Sequence, residues 1–293
     1  MRGQPPSRGE VYVRYGGSVR GPDVFTAQPT GGNPATGITA NDALMERLMM
    51  IDAAVGASAH RVIAVMPWFA YSRQDKKSAP REPISARLVA HMLEAAGADR
   101  VLTMDLHSGQ VQGFFKKPVD HMTALFILTQ YFHDLRLSDL VVVAPDVGRA
   151  KLNQKFAEKI GADLAILTKD RPAHSQAEIG YLIGDVRGKT AVIVDDIIDT
   201  AGTLRAAAQT VLAQGAARIF VAATHGIFSG DAFEKLSSIP FEQVVVTDTI
   251  PLRADAPANV VVLPCADLLT DSIRRIFTDG SVSEVFGGEN QLF

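Results

Sequence analysis

The chain has one cysteine, Cys265, among its 293 residues. A lone thiol closes no internal disulfide, which points to a reducing, cytoplasmic setting and to a fold held by its core. No apolar run approaches the roughly 20 residues that cross a bilayer, so no membrane partner is expected. The opening stretch carries Arg2, Pro5, Pro6 and Arg8 without an apolar segment, so no secretory signal is read there. Charge of one sign is also lacking. A formal net charge of −3 excludes broad nucleic-acid binding. Any anionic substrate must therefore be gripped by local cations and backbone amides, not by an overall field. Short tandem repeats are missing too, which excludes a solenoid.

What is present is the composition of a globular protein, 47% hydrophobic and 21% charged, long enough for two ordinary domains. Short β-branched runs alternate with segments of helical period, the pattern of an α/β fold with mostly parallel sheets. Strands are expected at Val24–Gln28, Arg61–Pro67, Arg100–Asp105, Leu140–Pro145 and Leu164–Leu167, then at Thr190–Asp195, Arg218–Thr224, Gln243–Thr247 and Val260–Leu263. Asp42 is expected to cap a helix carrying Leu44, Leu48, Ile51 and Val55, ended by Gly56. Pro83 fits a first helical turn before Ile84, Leu88, Met92 and Ala96. A third helix runs from Thr203 to Gly215, and Asp267 caps a last one carrying Leu268, Leu269, Ile273 and Ile276. Two strand-helix series follow one another, and the join is placed near Pro118–Met122. Residues Pro29–Ala40, rich in Gly, Pro and Thr, read as a loop.

The strongest local signal is Val192-Ile193-Val194-Asp195-Asp196-Ile197-Ile198-Asp199-Thr200-Ala201-Gly202-Thr203-Leu204. An apolar strand enters two carboxylates, then a small-residue turn, then a helix. The turn Asp199, Thr200, Ala201, Gly202, Thr203 would present backbone amides at the positive end of a helix dipole, where a phosphate binds. Its small side chains admit close approach of the anion. Asp195 and Asp196 stand at the carboxyl end of the strand, where α/β sheets bind ligands, and ionised carboxylates accept hydrogen bonds from vicinal hydroxyls. A sugar phosphate suits that combination, whereas an ordinary turn with two solvated acids would not need the Asp-Thr-Ala-Gly-Thr sequence. The segment resembles the ribose-phosphate loop shared by type I phosphoribosyltransferases and phosphoribosyl diphosphate synthetases.

Three more stretches carry chemistry. In Tyr71-Ser72-Arg73-Gln74-Asp75-Lys76-Lys77 the Arg73 fork suits a polyphosphate and Gln74 a base or ribose edge, though alone the stretch reads as a solvated basic turn. In Asp105-Leu106-His107-Ser108-Gly109 the His107 imidazole is a possible metal ligand, and singly it reads as a structural histidine. Asp146, in Pro145-Asp146-Val147-Gly148, is another carboxylate at a strand mouth. His107 and Asp146 together suit one Mg²⁺ that also takes ATP phosphates, because Mg²⁺ uses few protein ligands.

Together these stretches resemble the ribose-phosphate diphosphokinase family, also called phosphoribosyl diphosphate synthetases, in order from Gly9 to Phe286. The resemblance implies two tandem type I phosphoribosyltransferase-like domains, here 1–119 and 120–293, with the final helix packing back on the first domain. It implies a cytoplasmic transferase of the kinase type, assembled as a homohexamer, that serves nucleotide biosynthesis. This enzyme moves diphosphate from ATP to O1 of ribose 5-phosphate and yields phosphoribosyl diphosphate and AMP. By the same resemblance Arg73 and Gln74 bind ATP, helped by Gly9 and Glu10, and His107 and Asp146 hold Mg²⁺. Lys169 and Arg171, in Thr168-Lys169-Asp170-Arg171-Pro172, are the basic catalytic pair of a mobile loop. Arg171, Asp195, Asp196, Asp199, Thr200, Ala201, Gly202 and Thr203 take ribose 5-phosphate.

The family pattern also implies an opening strand and helix that this sequence does not carry. Where its adenine loop reads Phe-Ser-Asp-Gly-Glu, this chain has Pro6-Ser7-Arg8-Gly9-Glu10. Arg149 follows Gly148 where a second glycine is common, and Asp170 stands between the two loop cations. Two rival readings remain open on the sequence: a non-catalytic regulatory paralogue, favoured by the altered Pro6–Glu10 stretch, and a phosphoribosyltransferase, which leaves Arg73, Gln74 and Lys169 unexplained.

Overall fold

The computed structural model describes residues 10–33, 36–173 and 176–286, with the backbone alone for residues 169–180. The elements run β1 (Val24–Ala27), α1 (Ala40–Gly56), β2 (Val62–Met66), α2 (Ser85–Ala95), β3 (Arg100–Met104), β4 (Val119–Met122) and α3 (Leu125–Asp134). They continue through β5 (Leu140–Ala144), α4 (Ala150–Ile160), β6 (Asp163–Ala173), β7 (Gln176–Ile183), β8 (Thr190–Ile198) and α5 (Gly202–Ala213). The last are β9 (Arg218–Gly226), α6 (Ala232–Ser237), β10 (Val244–Thr247), β11 (Val260–Leu263) and α7 (Ala266–Phe277). The chain divides into two compact units. The first takes the described residues up to Thr123, with Thr249–Pro251 and the described residues from Ala266 to Phe286; the second takes the described residues of Ala124–Asp248 and Leu252–Cys265.

In the first unit four parallel strands stand in the order β1-β2-β3-β4. Strand β2 is buried along its whole length, which is why Val62-Ile63-Ala64-Val65-Met66 is apolar without alternation. Each large side chain so covered contributes about 1.5–3 kcal/mol. Helix α1 is capped by Thr39, not by Asp42. The Thr39 hydroxyl accepts from the Asp42 amide at 3.2 Å while the Asp42 carboxylate accepts from the Thr39 amide at 2.9 Å. Asp42 therefore serves as the third residue of a reciprocal cap. From α1, the fully buried Arg47 reaches the carbonyls of Thr26, Gln28 and Val65 and ties the ends of β1 and β2 together.

Helix α2 departs from expectation in phase. Pro83 precedes the cap residue Ile84, and the buried face is Ala86, Val89, Ala90 and Leu93. Leu88, expected inside, is 57% exposed. The segment read as a join is strand β4, which extends the first sheet through Thr103↔His121. Helix α7 belongs to this unit, where Ser272 reaches Met122 at 3.6 Å.

The second unit carries a seven-stranded sheet in the order β11-β10-β9-β8-β5-β6-β7, parallel except for β7. Strands β5 and β8 are buried valine- and isoleucine-rich runs, β9 is buried beyond Arg218, and the facing core includes Ala207, Ala208 and Val211 of α5. Strand β6 does not stop at Leu167 but continues to Ala173 and pairs antiparallel with β7. After β7 the chain turns at Gly184, whose φ of +108° brings it so close to β6 that a Cβ would lie 2.9 Å from Ala165 Cα. Only glycine fits there.

Candidate functional site

Strand β8 lies between β5 and β9. The chain steps from β5 to β6 on one side and from β8 to β9 on the other, so the carboxyl ends of β5 and β8 flank the point where the winding reverses. Open α/β sheets bind ligands in the crevice at such a point. The strand runs further than its sequence pattern implies. It passes through both acids to Ile198, with Asp195 opposite Ala223 and Ile198 opposite Gly226 on β9.

The two carboxylates differ in environment. The Asp195 side chain is 28% exposed and the Asp196 side chain only 3%. Successive strand residues face opposite ways, which accounts for the contrast. Asp195 Oδ1 accepts the Asp196 amide at 2.9 Å. Arg149, from the short turn Val147–Arg149 after β5, reaches Asp196 Oδ2 with Nη2 at 2.6 Å and Asp195 Oδ1 with Nε at 3.6 Å. Desolvation, then the neighbouring Asp196 carboxylate, push Asp195 well above the usual carboxylate range, and Arg149 opposes both.

Beyond the strand the backbone turns sharply. Ala201 adopts the left-handed conformation at φ +56°, and no side chain caps the α5 helix that follows. The first amides of a helix have no carbonyl within it, so this end offers donors and positive dipole to an anion. A second loop braces the turn from behind. Ile227 and Phe228 amides donate to Ile198 O at 2.9 and 3.1 Å, and the Ser229 amide donates to Asp199 O at 3.1 Å. Arg253 holds that brace by donating to Phe228 O at 2.8 Å and Gly230 O at 3.0 Å. Phe228 is buried over Gly226, so close that a Cβ on Gly226 would meet its ring at 2.5 Å.

Asp195, Asp196 and Asp199 through Thr203 are thus brought together with Asp146, which caps the turn after β5 by accepting the Arg149 amide at 3.2 Å. Lys169 and Arg171 fall within β6, with Lys169 paired to Ile179 on β7, rather than in an irregular loop. His107, Arg73 and Gln74 belong to the first unit. His107 is half-buried in the turn after β3, where Asp105 takes φ +33° and the His121 ring accepts the Leu106 amide at 2.8 Å. Arg73 and Gln74 are exposed, and the Gln74 carbonyl accepts the Ala86 amide at 3.2 Å. Glu10 is exposed in the opening coil, and Gly9 lies outside the described residues.

Sequence reasoning missed three parts: the pairing of Arg149 with the acids, the Arg253 brace, and Asn153. The fully buried Asn153 donates to Arg149 O at 3.0 Å and to Val194 O at 3.2 Å, fastening α4 to β8 one residue before the acids. The only sequence signal was a large cation at a position where glycine is common.

Residues 4–97 match the family model of the N-terminal domain of ribose phosphate pyrophosphokinase, and residues 169–287 match that of the phosphoribosyl synthetase-associated domain. The ribose-phosphate pyrophosphokinase of Caldanaerobacter subterraneus subsp. tengcongensis is 49% identical over 96% of this chain and 87% of its own length. That of Gloeobacter violaceus is 47% identical over 95% of this chain and 82% of its own. Among solved structures, phosphoribosylpyrophosphate synthetase from Mycobacterium smegmatis superposes with a TM-score of 0.86 at 43% identity, covering 94% of this chain and 90% of that one. The chain belongs to the ribose-phosphate pyrophosphokinase family.

Proposed function

We propose that the chain transfers the terminal diphosphate of ATP to O1 of ribose 5-phosphate, giving phosphoribosyl diphosphate and AMP. The observation that carries this reading is the end of β8: an acid pair, then an uncapped helix start, in a chain nearly half identical to named pyrophosphokinases over almost its full length. The turn Asp199, Thr200, Ala201, Gly202 and Thr203, leading into α5, would take the 5-phosphate. Asp195, the more accessible acid, would accept the ribose hydroxyls, with Asp196 beneath it.

Oxygen O1 of the sugar attacks the β-phosphorus, the bond from that phosphorus to the α-phosphate oxygen breaks, and AMP departs. The proton of the attacking hydroxyl passes to solvent water in the same exchange. Reactions of this type ask mainly for alignment and charge neutralisation. Arg73 and Gln74 would bind the nucleotide, joined by Gly9 and Glu10. Lys169 and Arg171 would neutralise charge on the transferred group, and Arg171 would also contact the sugar phosphate.

The donor chemistry fits Mg²⁺: Asp146 offers a hard, partly exposed carboxylate at the end of β5, and His107 would supply a second ligand. Bound with the nucleotide, Mg²⁺ supplies charge neutralisation of the triphosphate. A cytoplasmic homohexamer is part of the same proposal. No helix among the described residues is long and apolar enough to cross a membrane.

The test is AMP formation from ATP on adding ribose 5-phosphate. Lys169→Ala should lower turnover by about a hundredfold or more, the usual cost of losing a transition-state donor. Near-native turnover in that variant would remove Lys169 from the reaction.

A further inference from the structure

Arg149 is fixed at both ends. Its amide donates to Asp146, its carbonyl accepts from Asn153, and Asn153 is bound in turn to Val194 of β8. Its side chain is only 15% exposed, and its guanidinium spans Asp195 and Asp196. An arginine locked in this way is part of the site's construction, unlike a surface cation that visits an acid. We propose that Arg149 is a positioning residue for sugar recognition. It pairs with the buried Asp196 and by doing so opposes protonation of Asp195, the acid that takes the vicinal hydroxyls of the sugar.

The physical reason is the closeness of two acids. Adjacent carboxylates with one buried would share a proton if no cation stood between them, because like charges in a desolvated site do not both ionise. A protonated pair loses acceptor strength where the hydroxyls must dock. Arg149 removes that conflict with one short charge-assisted contact and one long one, and the long one, 3.6 Å to Asp195, leaves that carboxylate the freer to accept from the ligand. The inference rests on the assignment of the acid pair to ribose hydroxyls made above.

Calorimetric titration separates the two. Ribose 5-phosphate and 2-deoxyribose 5-phosphate are compared on the wild-type chain, on Arg149→Gln and on Arg149→Lys. The wild type should prefer the ribose form by about tenfold or more, the worth of one hydrogen bond to a charged group. In Arg149→Gln that preference should shrink to near unity while ATP affinity holds, and Arg149→Lys should recover part of it. Because Arg149→Gln strands a buried acid, it is also paired with Asp196→Asn, which removes the buried charge and should restore both folding and preference for ribose. A wild type that binds both sugars equally sinks the acid-pair assignment itself. A wild type that discriminates, with Arg149→Gln discriminating as strongly or losing ATP affinity instead, overturns the role of Arg149 alone. A double variant no more selective than Arg149→Gln overturns it as well.

Discussion

At the scale of single residues the site is a problem of keeping charge where it is needed. Asp195 is raised well above ordinary carboxylates by desolvation and by Asp196, with Arg149 as the opposing cation. The sign follows directly: as pH falls through a raised value, Asp195 takes up a proton earlier than an ordinary aspartate and ceases to accept two hydroxyl hydrogens. The KM for ribose 5-phosphate should therefore rise on acidification well above pH 4, while the KM for ATP stays level over the same range. Equal movement of both constants would place the titration elsewhere. The acids themselves were legible in the sequence because strand, acids and small-residue turn are contiguous. Their partner was not, because Arg149 is separated from them by α4, β6 and β7 and meets them only when β5 and β8 pair.

At the scale of elements, the turn between β8 and α5 depends on the loop after β9. Gly226 admits the Phe228 ring, and the Phe228 loop in turn donates to Ile198 and Asp199. Gly226→Ala forces the buried ring aside, since overpacking a filled site costs about 1–3 kcal/mol. Sugar phosphate affinity should drop with a smaller loss in thermal stability, and native affinity in a folded Gly226→Ala chain would show that the brace does not matter. Arg253 is expected to act through the same loop.

The elements also show which patterns a sequence displays. Strands β2, β3, β5, β8, β9 and β10 stood out as apolar runs because parallel strands buried on both faces need no polar alternation, and the half-buried edge strand β11 stood out by its valines. Strand β4, Val119-Asp120-His121-Met122, is short and half polar, and β7 carries Glu178 and Gly180, so neither had such a run. Helix α2 was found but turned: Leu88 looked like core by its hydrophobicity, whereas the small Ala86 and Ala90 occupy the tight face against the sheet.

At the scale of the whole molecule, the modest net charge of −3 leaves anion binding to local devices, and unit one shows how its distant segments are tied. Arg61, before β2, meets Asp23, before β1, and Asp279, beyond α7, the latter at 2.6 Å. Arg61 first, with help from His60, holds Asp23 below the usual carboxylate range. A lowered folded value means that the link is intact above the unfolded value of about 4 and is lost as pH falls through the folded one. Acid unfolding of the wild type should thus show a step that Asp23→Asn lacks; identical acid profiles would assign that link no stabilising part.

The most direct test of the account is phosphorus NMR of the purified chain with Mg-ATP and ribose 5-phosphate. AMP and phosphoribosyl diphosphate should appear one for one, with a diphosphate on the sugar and no ADP. Formation of ADP and inorganic phosphate, or no change in the presence of both substrates, would contradict it.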